Sequence, residues 1–371
     1  MIPLPQLFFS FFIYISFSSA PTMPATPLYI ASADNEGQAG IYLAHFDPND
    51  GSLSTPSKLI GERPFFFKLS ANGEHLYLTT HQGQSDNAAA LHSYRIEPDN
   101  TLAPLNSVPF PGRIPLHIDL HPEGTHALVA NYLTPTVVSI AIREDGSLSQ
   151  VTDEVTLTGS SIHPKRQDHS YPHSSFFSPD GKYAYVCDRG TDRLGSYAFD
   201  PSNDTLTPLT RPIVARPGAG PRHLAWHPDG TGLFVINEIN GSLTHYAYDT
   251  ATGYLSEGNT YPTTAPDQTA ENFSAEVRIH PNGKFIYASN RGPDTLAVFK
   301  IADDHSLTLV QRISSGGQHP RYFEIHPSGE WLIVSNKNSD NLTLFSLDPA
   351  TGQLTAKSNT PFPAPTGLAF R

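Results

Sequence analysis

The stretch FSPDGKYAYV (177–186) reads as strand, tight turn and strand, with Asp180-Gly181 supplying the positive-φ positions of a hairpin. The same phrase returns as LSANGEHLYL (69–78), LHPEGTHALV (120–129), WHPDGTGLFV (226–235), IHPNGKFIYA (279–288) and IHPSGEWLIV (325–334). Its turn glycines, 73, 124, 181, 230, 283 and 329, are spaced by 51, 57, 49, 53 and 46 residues. A second phrase marks another turn: DPNDGSL, EPDNTL, REDGSL, DPSNDTL, DTATGYL, ADDHSL and DPATGQL. Its terminal leucines are 53, 102, 148, 206, 255, 307 and 354. Each period of roughly fifty residues thus holds two hairpins, or four strands, the signature of a β-propeller blade. The first phrase has six copies and the second seven, because the chain opens on a strand of one type (LYIASAD, 28–34) and closes on the other (TGLAFR, 366–371). A blade assembled from both ends closes the ring without a free edge. The sequence therefore predicts an all-β, seven-bladed β-propeller with four-stranded blades. A β-sandwich would lack the period, and a solenoid would lack complementary ends.

Composition agrees. The 371 residues would allow two or three domains, but the repeat reduces them to one ring over 27–371. The 34 Pro and 27 Gly fall where turns and blade entries recur, and 16 Tyr and 21 Phe supply a core. A formal charge of −12 with no basic run excludes a nucleic-acid footprint but not a small anionic ligand. The single cysteine, Cys187, excludes a disulfide framework. Residues 1–26 stand apart as a signal-like or mis-started segment. Leu7 to Phe17 is an uncharged apolar run, too short to span a membrane but long enough for a signal-peptide core, with Ser18-Ser19-Ala20 after it. No Lys or Arg precedes the run, Pro21 follows it, and Met23 offers another start. The expectation is a cytoplasmic monomer with no membrane segment, or a periplasmic or secreted protein if residues 1–20 act as a signal peptide.

In a repeat protein, positions that depart from the template are the better functional candidates. Seven residues after the turn glycine stand Thr80, Asn131, Asp188, Asn237, Asn290 and Asn336, a recurrent polar residue suited to a strand-end turn. The next position varies: His81, Tyr132, Arg189, Glu238, Arg291 and Lys337. Eight residues before the glycine stand Phe65, Leu116, His173, Arg222, Ala275 and Arg321, with His117, Ser174, His223, Glu276 and Tyr322 beside them. Folding back about the glycine brings these ends together. Arg222 is expected near Glu238, His173 near Arg189, and Glu276 near Arg291, all at one mouth of the central channel. The candidate set is His117, His173, Arg222, His223, Glu238, Glu276, Arg291 and Arg321. Blade-stitching ion pairs are the bland alternative. The His-Pro histidines 121, 227, 280 and 326 recur with the template and read as structural. No H-E-x-x-H spacing, G-x-S-x-G, P-loop or Rossmann fingerprint occurs, so no metal or other cofactor is expected.

Three segments carry a family resemblance: RQDHSYPHSSFFSPDGKYAYVCDRGTDRL (166–194), RPGAGPRHLAWHPDGTGLFVINE (216–238) and AEVRIHPNGKFIYASNRGPDTLAVF (275–299). They resemble the seven-bladed lactonase family, which contains the propeller-type 6-phosphogluconolactonases and is similar to fungal carboxy-cis,cis-muconate cyclase. The resemblance implies catalytic and substrate-binding positions at His173, Arg222, Glu238 and Arg291, four residues already in the mouth set. It implies hydrolysis of a sugar lactone, 6-phosphogluconolactone to 6-phosphogluconate in the pentose phosphate pathway. His173 and Glu238 would share the acid and base roles, and the arginines would bind the anionic substrate. A carboxymuconate-type lactonising cycloisomerase would use the same groups in reverse, and a non-catalytic binding propeller is the third reading. Thr80-His81-Gln82, where the family commonly has Asn-Glu, and Leu133-Thr134-Pro135, in place of a Gly-rich turn, depart from the pattern.

Overall fold

The computed structural model describes residues 23–81 and 88–371; the apolar run at 7–17, the Ser18-Ser19-Ala20 site and Gln82 lie outside the described residues. Seven antiparallel sheets form a ring of blades. The innermost strands, in blade order, are Pro365–Phe370, Phe66–Leu69, Pro115–Leu120, Pro172–Phe177, Pro221–Trp226, Phe273–Ile279 and Pro320–Ile325. Blade 1 is the composite one: Pro365–Phe370 pairs antiparallel with Thr26–Ser32, with Leu28 opposite Phe370 and Ile30 opposite Leu368. The two ends of the chain therefore close the ring, as the complementary termini predict.

Alternation along each strand buries one side chain in two against the next blade. Seven apolar clusters result, and each spans two adjacent blades. Tyr77 and Leu91 of blade 2, for example, meet Val129 and Ile140 of blade 3. Polar stitches recur at the same junctions. Tyr29, Tyr77, Tyr185 and Tyr287 each donate a hydroxyl hydrogen bond to a turn carbonyl of the following blade, at 2.9, 3.1, 2.6 and 3.0 Å. The His-Pro histidines work similarly: Nε2 of His121, His227 and His280 donates to the carbonyl of Gly181, Gly283 and Gly329. Their repetition has this structural cause. The recurrent strand-end residue is also explained, since Asn131, Asn237, Asn290 and Asn336 each donate to a Ser or Thr hydroxyl across the next turn.

One feature of the inner strands positions the site. In six blades the ladder slips by one residue at the mouth end. Pro172 faces Asp188 and Ser174 faces Cys187, leaving His173 without a partner; Pro221 and His223 likewise flank Arg222, and Pro320 and Tyr322 flank Arg321. Such a bulge bends the strand and re-aims the extra side chain. In blades 3 to 7 the variable position eight residues before the turn glycine is the bulge residue; blade 2, with Phe65 there, keeps its register.

Candidate active site

The bulges at His173, Arg222 and Arg321 meet the strand ends at Arg189, Glu238 and Arg291 around one mouth of the channel. Glu238 is the centre of this set. Its Oε1 accepts from Arg189 Nη1 at 3.0 Å, and its Oε2 lies 2.9 Å from Arg291 Nη2 and 3.2 Å from Arg222 Nε. The last is a charge contact out of line for a hydrogen bond, since Arg222 Nε has no hydrogen-bond partner. Arg222 instead anchors through Nη1 on the carbonyl of Ala275, and Arg291 through Nε on Phe273. Arg189 is sandwiched by Tyr132 and Tyr171, its guanidinium 5.0 and 4.9 Å from the two ring centres. Arg321 makes no hydrogen bond or ion pair among the described residues.

Electrostatics follow from this geometry. Burial would raise the Glu238 carboxyl, but Arg291, Arg189 and Arg222 outweigh it and hold the group at about 2. Burial, then the neighbouring Arg291 and Arg321, push Arg222 down to about 9; burial and Arg291 bring Arg321 to about 10. Both stay cationic at neutral pH. His173 is driven well below the ordinary imidazole range by burial and by Arg222. Its Nδ1 is buried with no hydrogen-bond partner. A neutral imidazole with a free nitrogen thus sits at a mouth where three guanidiniums share one carboxylate and a fourth, Arg321, stands beside them.

Below the mouth lies a second layer. His117 packs on His223, ring centres 5.2 Å apart, and His223 Nδ1 contacts Glu276 Oε2 at 3.1 Å. Glu276 also takes Arg278 Nη1 at 2.6 Å, and Arg278 reaches Glu324 at 3.5 Å and the Tyr322 hydroxyl. Burial places His223 at about 4 despite Glu276, while Arg278 and His223 hold Glu276 at about 2 against burial.

The structure thus brings together Arg222, Glu238 and Arg291 in contact, with His173 and Arg321 beside them. His117, His223 and Glu276 belong to the deeper layer. The expected Glu276–Arg291 pair does not form. Arg291 faces Phe273, before the bulge, whereas Glu276 follows the extra residue and turns down the channel. His173 shares an end with Arg189 without a direct contact, because Arg189 is taken by Glu238. Arg189 stands outside the candidate set that the sequence suggests, although its position is variable. Arg278 stands outside it too, because it lies within its strand and not at the strand end. The position five residues before the glycine, with Lys68, Asp119, Phe176, Ala225, Arg278 and Glu324, varies just as strongly. A cleft of about 470 Å³ between blades 2 and 3 opens on the other face and contains none of the mouth residues.

The fold is thus a closed ring of blades with a net-positive mouth. The chain belongs to the lactonase family of seven-bladed β-propellers: the family model described as "Lactonase, 7-bladed beta-propeller" matches residues 27–370. A 6-phosphogluconolactonase of Bacillus subtilis is 30% identical over 342 residues, covering 90% of this chain and 96% of that protein. One from Formosa agariphila is 32% identical over 300 residues, 78% and 83% of the two chains. Among solved structures, the periplasmic gluconolactonase of Pseudomonas aeruginosa superposes with a TM-score of 0.88 at 27% identity, covering 94% of this chain and 99% of its own.

Proposed function

We propose that the mouth hydrolyses the lactone ring of a phosphorylated sugar acid, 6-phosphogluconolactone, to the open acid. The family and the named relatives support lactone hydrolysis over the cyclising and non-catalytic readings. The observation that carries the reading to a phosphorylated substrate is the charge balance: four arginines around one carboxylate, with Arg321 unpaired. Guanidinium forks match phosphate and carboxylate geometry. The small ligand is a sugar-phosphate lactone, and it approaches as a free molecule.

Chemistry at the carbonyl follows. A water held by the free nitrogen of neutral His173 loses its proton to the imidazole as its oxygen bonds to the lactone carbon. Arg222 and Arg291 stabilise the oxyanion. The ring C–O bond then breaks and the imidazolium returns the proton to the departing oxygen, leaving a carboxylic acid that ionises in water. Both oxygens of Glu238 are taken by arginines, so it is not the group that holds the water. Its role is to align the arginines. The decisive assay incubates purified protein with 6-phosphogluconolactone and with unphosphorylated gluconolactone and follows ring opening above the spontaneous rate. Acceleration of neither would sink the proposal, and equal kcat/KM for both would remove its phosphate component.

A further inference from the structure

On the face opposite the mouth, the junction of blades 5 and 6 departs from the repeat. At four other junctions a turn glycine of the second phrase packs under a ring of the preceding blade: a Cβ on Gly51 would meet Trp331, on Gly146 His75, on Gly253 Tyr183 and on Gly352 Phe285, each within 3 Å. Between blades 5 and 6 the sizes are exchanged. Gly232 stands where the other blades carry the ring, and His305 occupies the turn with φ +61°, a conformation that disfavours a side chain. Phe234 replaces the tyrosine that stitches four other junctions, and His245 replaces Ser93, Ser139 and Ser196 of blades 2, 3 and 4 at the matching register.

These exchanges assemble a polar chain. His245 Nε2 lies 3.1 Å from His305 Nδ1, and His305 Nε2 lies 3.0 Å from Asp229 Oδ2. Asp229 Oδ1 in turn lies 2.9 Å from His227 Nδ1. A carbonyl only accepts, so the bond from His227 Nε2 to Gly283 O at 2.9 Å takes the one proton of a neutral imidazole. His227 Nδ1 then turns a lone pair on a carboxylate oxygen, with the Asp229 N–H 3.4 Å away as its remaining donor. In the sister repeats that nitrogen faces donors only: Asn282 N–H at 3.0 Å for His280, and Ser328 N–H and hydroxyl for His326. The blade 5 site therefore calls for a positive charge between the nitrogen and the carboxylate.

We propose that His227 Nδ1, the Asp229 carboxylate and His305 Nε2 form a binding site for a divalent transition-metal ion of the zinc class, pinning blade 5 to blade 6. The three ligand atoms lie within 4.8 Å of one another, and the two imidazole–carboxylate distances, 2.9 and 3.0 Å, approach the ~3.3 Å edge of a tetrahedron with zinc–ligand bonds of about 2.0–2.1 Å. Both imidazoles have the outer partners that metal-binding histidines require: Gly283 O for His227 and His245 for His305. Asp229 is oriented by the backbone N–H and hydroxyl of Thr231 at 2.8 and 2.9 Å. Two imidazoles and one carboxylate select zinc over magnesium or calcium. No sequence motif announces the site, because its residues come from two turns of different blades.

The test uses the untagged full chain, stripped with a chelator and titrated calorimetrically with Zn²⁺, with Co²⁺ absorption as a report of ligand geometry. One equivalent of Zn²⁺ is expected, with an increase in melting temperature and no competition from Mg²⁺ or Ca²⁺. His305→Gly restores the residue the turn prefers and is expected to fold and keep lactone hydrolysis while weakening Zn²⁺ at least ~100-fold. His245→Ala is expected to weaken it ~10- to 100-fold through the outer partner. Asp229→Asn serves as the second ligand variant should His305→Gly not fold. Failure of the wild-type chain to hold an equivalent of either ion, or ligand variants that bind as wild type, would overturn the site. The lactonase assay is independent of either result.

Discussion

Glu238 and Glu276 are both buried carboxylates held near 2 by arginines, yet their surroundings differ in one decisive respect. Glu276 belongs to a layer without surplus cations: Arg278 and Lys68 stand against Glu276, Glu324 and Asp119, with Lys68 2.9 Å from Asp119. Glu238 is alone among Arg189, Arg222 and Arg291, with Arg321 free beside them. A buried network without surplus cations gives an anion no place, whereas one with a surplus is completed by an anion. Charge left over, rather than charge buried, separates the candidate site from the scaffold.

The sharpest way to break this contrast is at His173, the neutral base that the surplus cations surround. His173→Gln is expected to lower kcat by about 10²–10⁴ with little change in melting temperature. The corresponding change in the deeper layer, His223→Gln, should act mainly on stability. If steady-state kinetics show His173→Gln within threefold of wild type, the base lies elsewhere.

Next come the two carboxylates themselves. Removing one partner of a buried ion pair costs about 3–5 kcal/mol, so Glu238→Gln and Glu276→Gln should both destabilise in urea titrations. Only Glu238→Gln should recover part of that loss on adding inorganic phosphate, because only there does the vacancy face a surplus of guanidinium. Recovery of both variants, or of neither, would erase the distinction.

How much of this contrast could be read beforehand depends on which residue is asked. Turn chemistry needs glycine at positions such as Gly181, so the blades announce themselves, and the repeat provides a reference against which His173, Arg222, Glu238 and Arg291 stand out. The direction of a side chain is less legible. One unpaired residue in the inner strand turns Arg222 and Arg321 into the mouth and sends Glu276 away from Arg291, and no residue type marks that bulge. Arg189 shows a second limit: its variable position was visible, but its capture by Glu238 depends on Tyr132 and Tyr171 holding the guanidinium from both sides. Whether the balance of charges closes is a property of packed neighbours, and composition (−12 for the whole chain) hides a net-positive mouth.

Arg321 probes that surplus directly. Among the described residues it is bound to no carboxylate, so Arg321→Ala should leave stability within about 1 kcal/mol. Losing one charge-assisted contact should raise KM for the phosphorylated lactone about 10- to 50-fold. Gluconolactone should be turned over almost as before. Equal losses on both substrates would assign Arg321 to the reacting carbonyl instead of the phosphate.

The smallest effect is a displacement of the acid limb. His173 acts deprotonated, so the rate falls as pH drops through its pKa. In the free protein, burial and Arg222 keep that pKa well below 6.5, and kcat/KM should stay level through the ordinary imidazole range. A bound phosphate dianion offsets the cations that depress His173, which favours imidazolium and raises its pKa in the complex. The limb of kcat for the phosphorylated lactone should therefore lie above that of kcat/KM, while gluconolactone, which brings no charge, should show no such gap. Coincident limbs for both substrates would mean that the phosphate binds too far from His173 to be felt, and the mouth would have to be divided into separate binding and reacting halves.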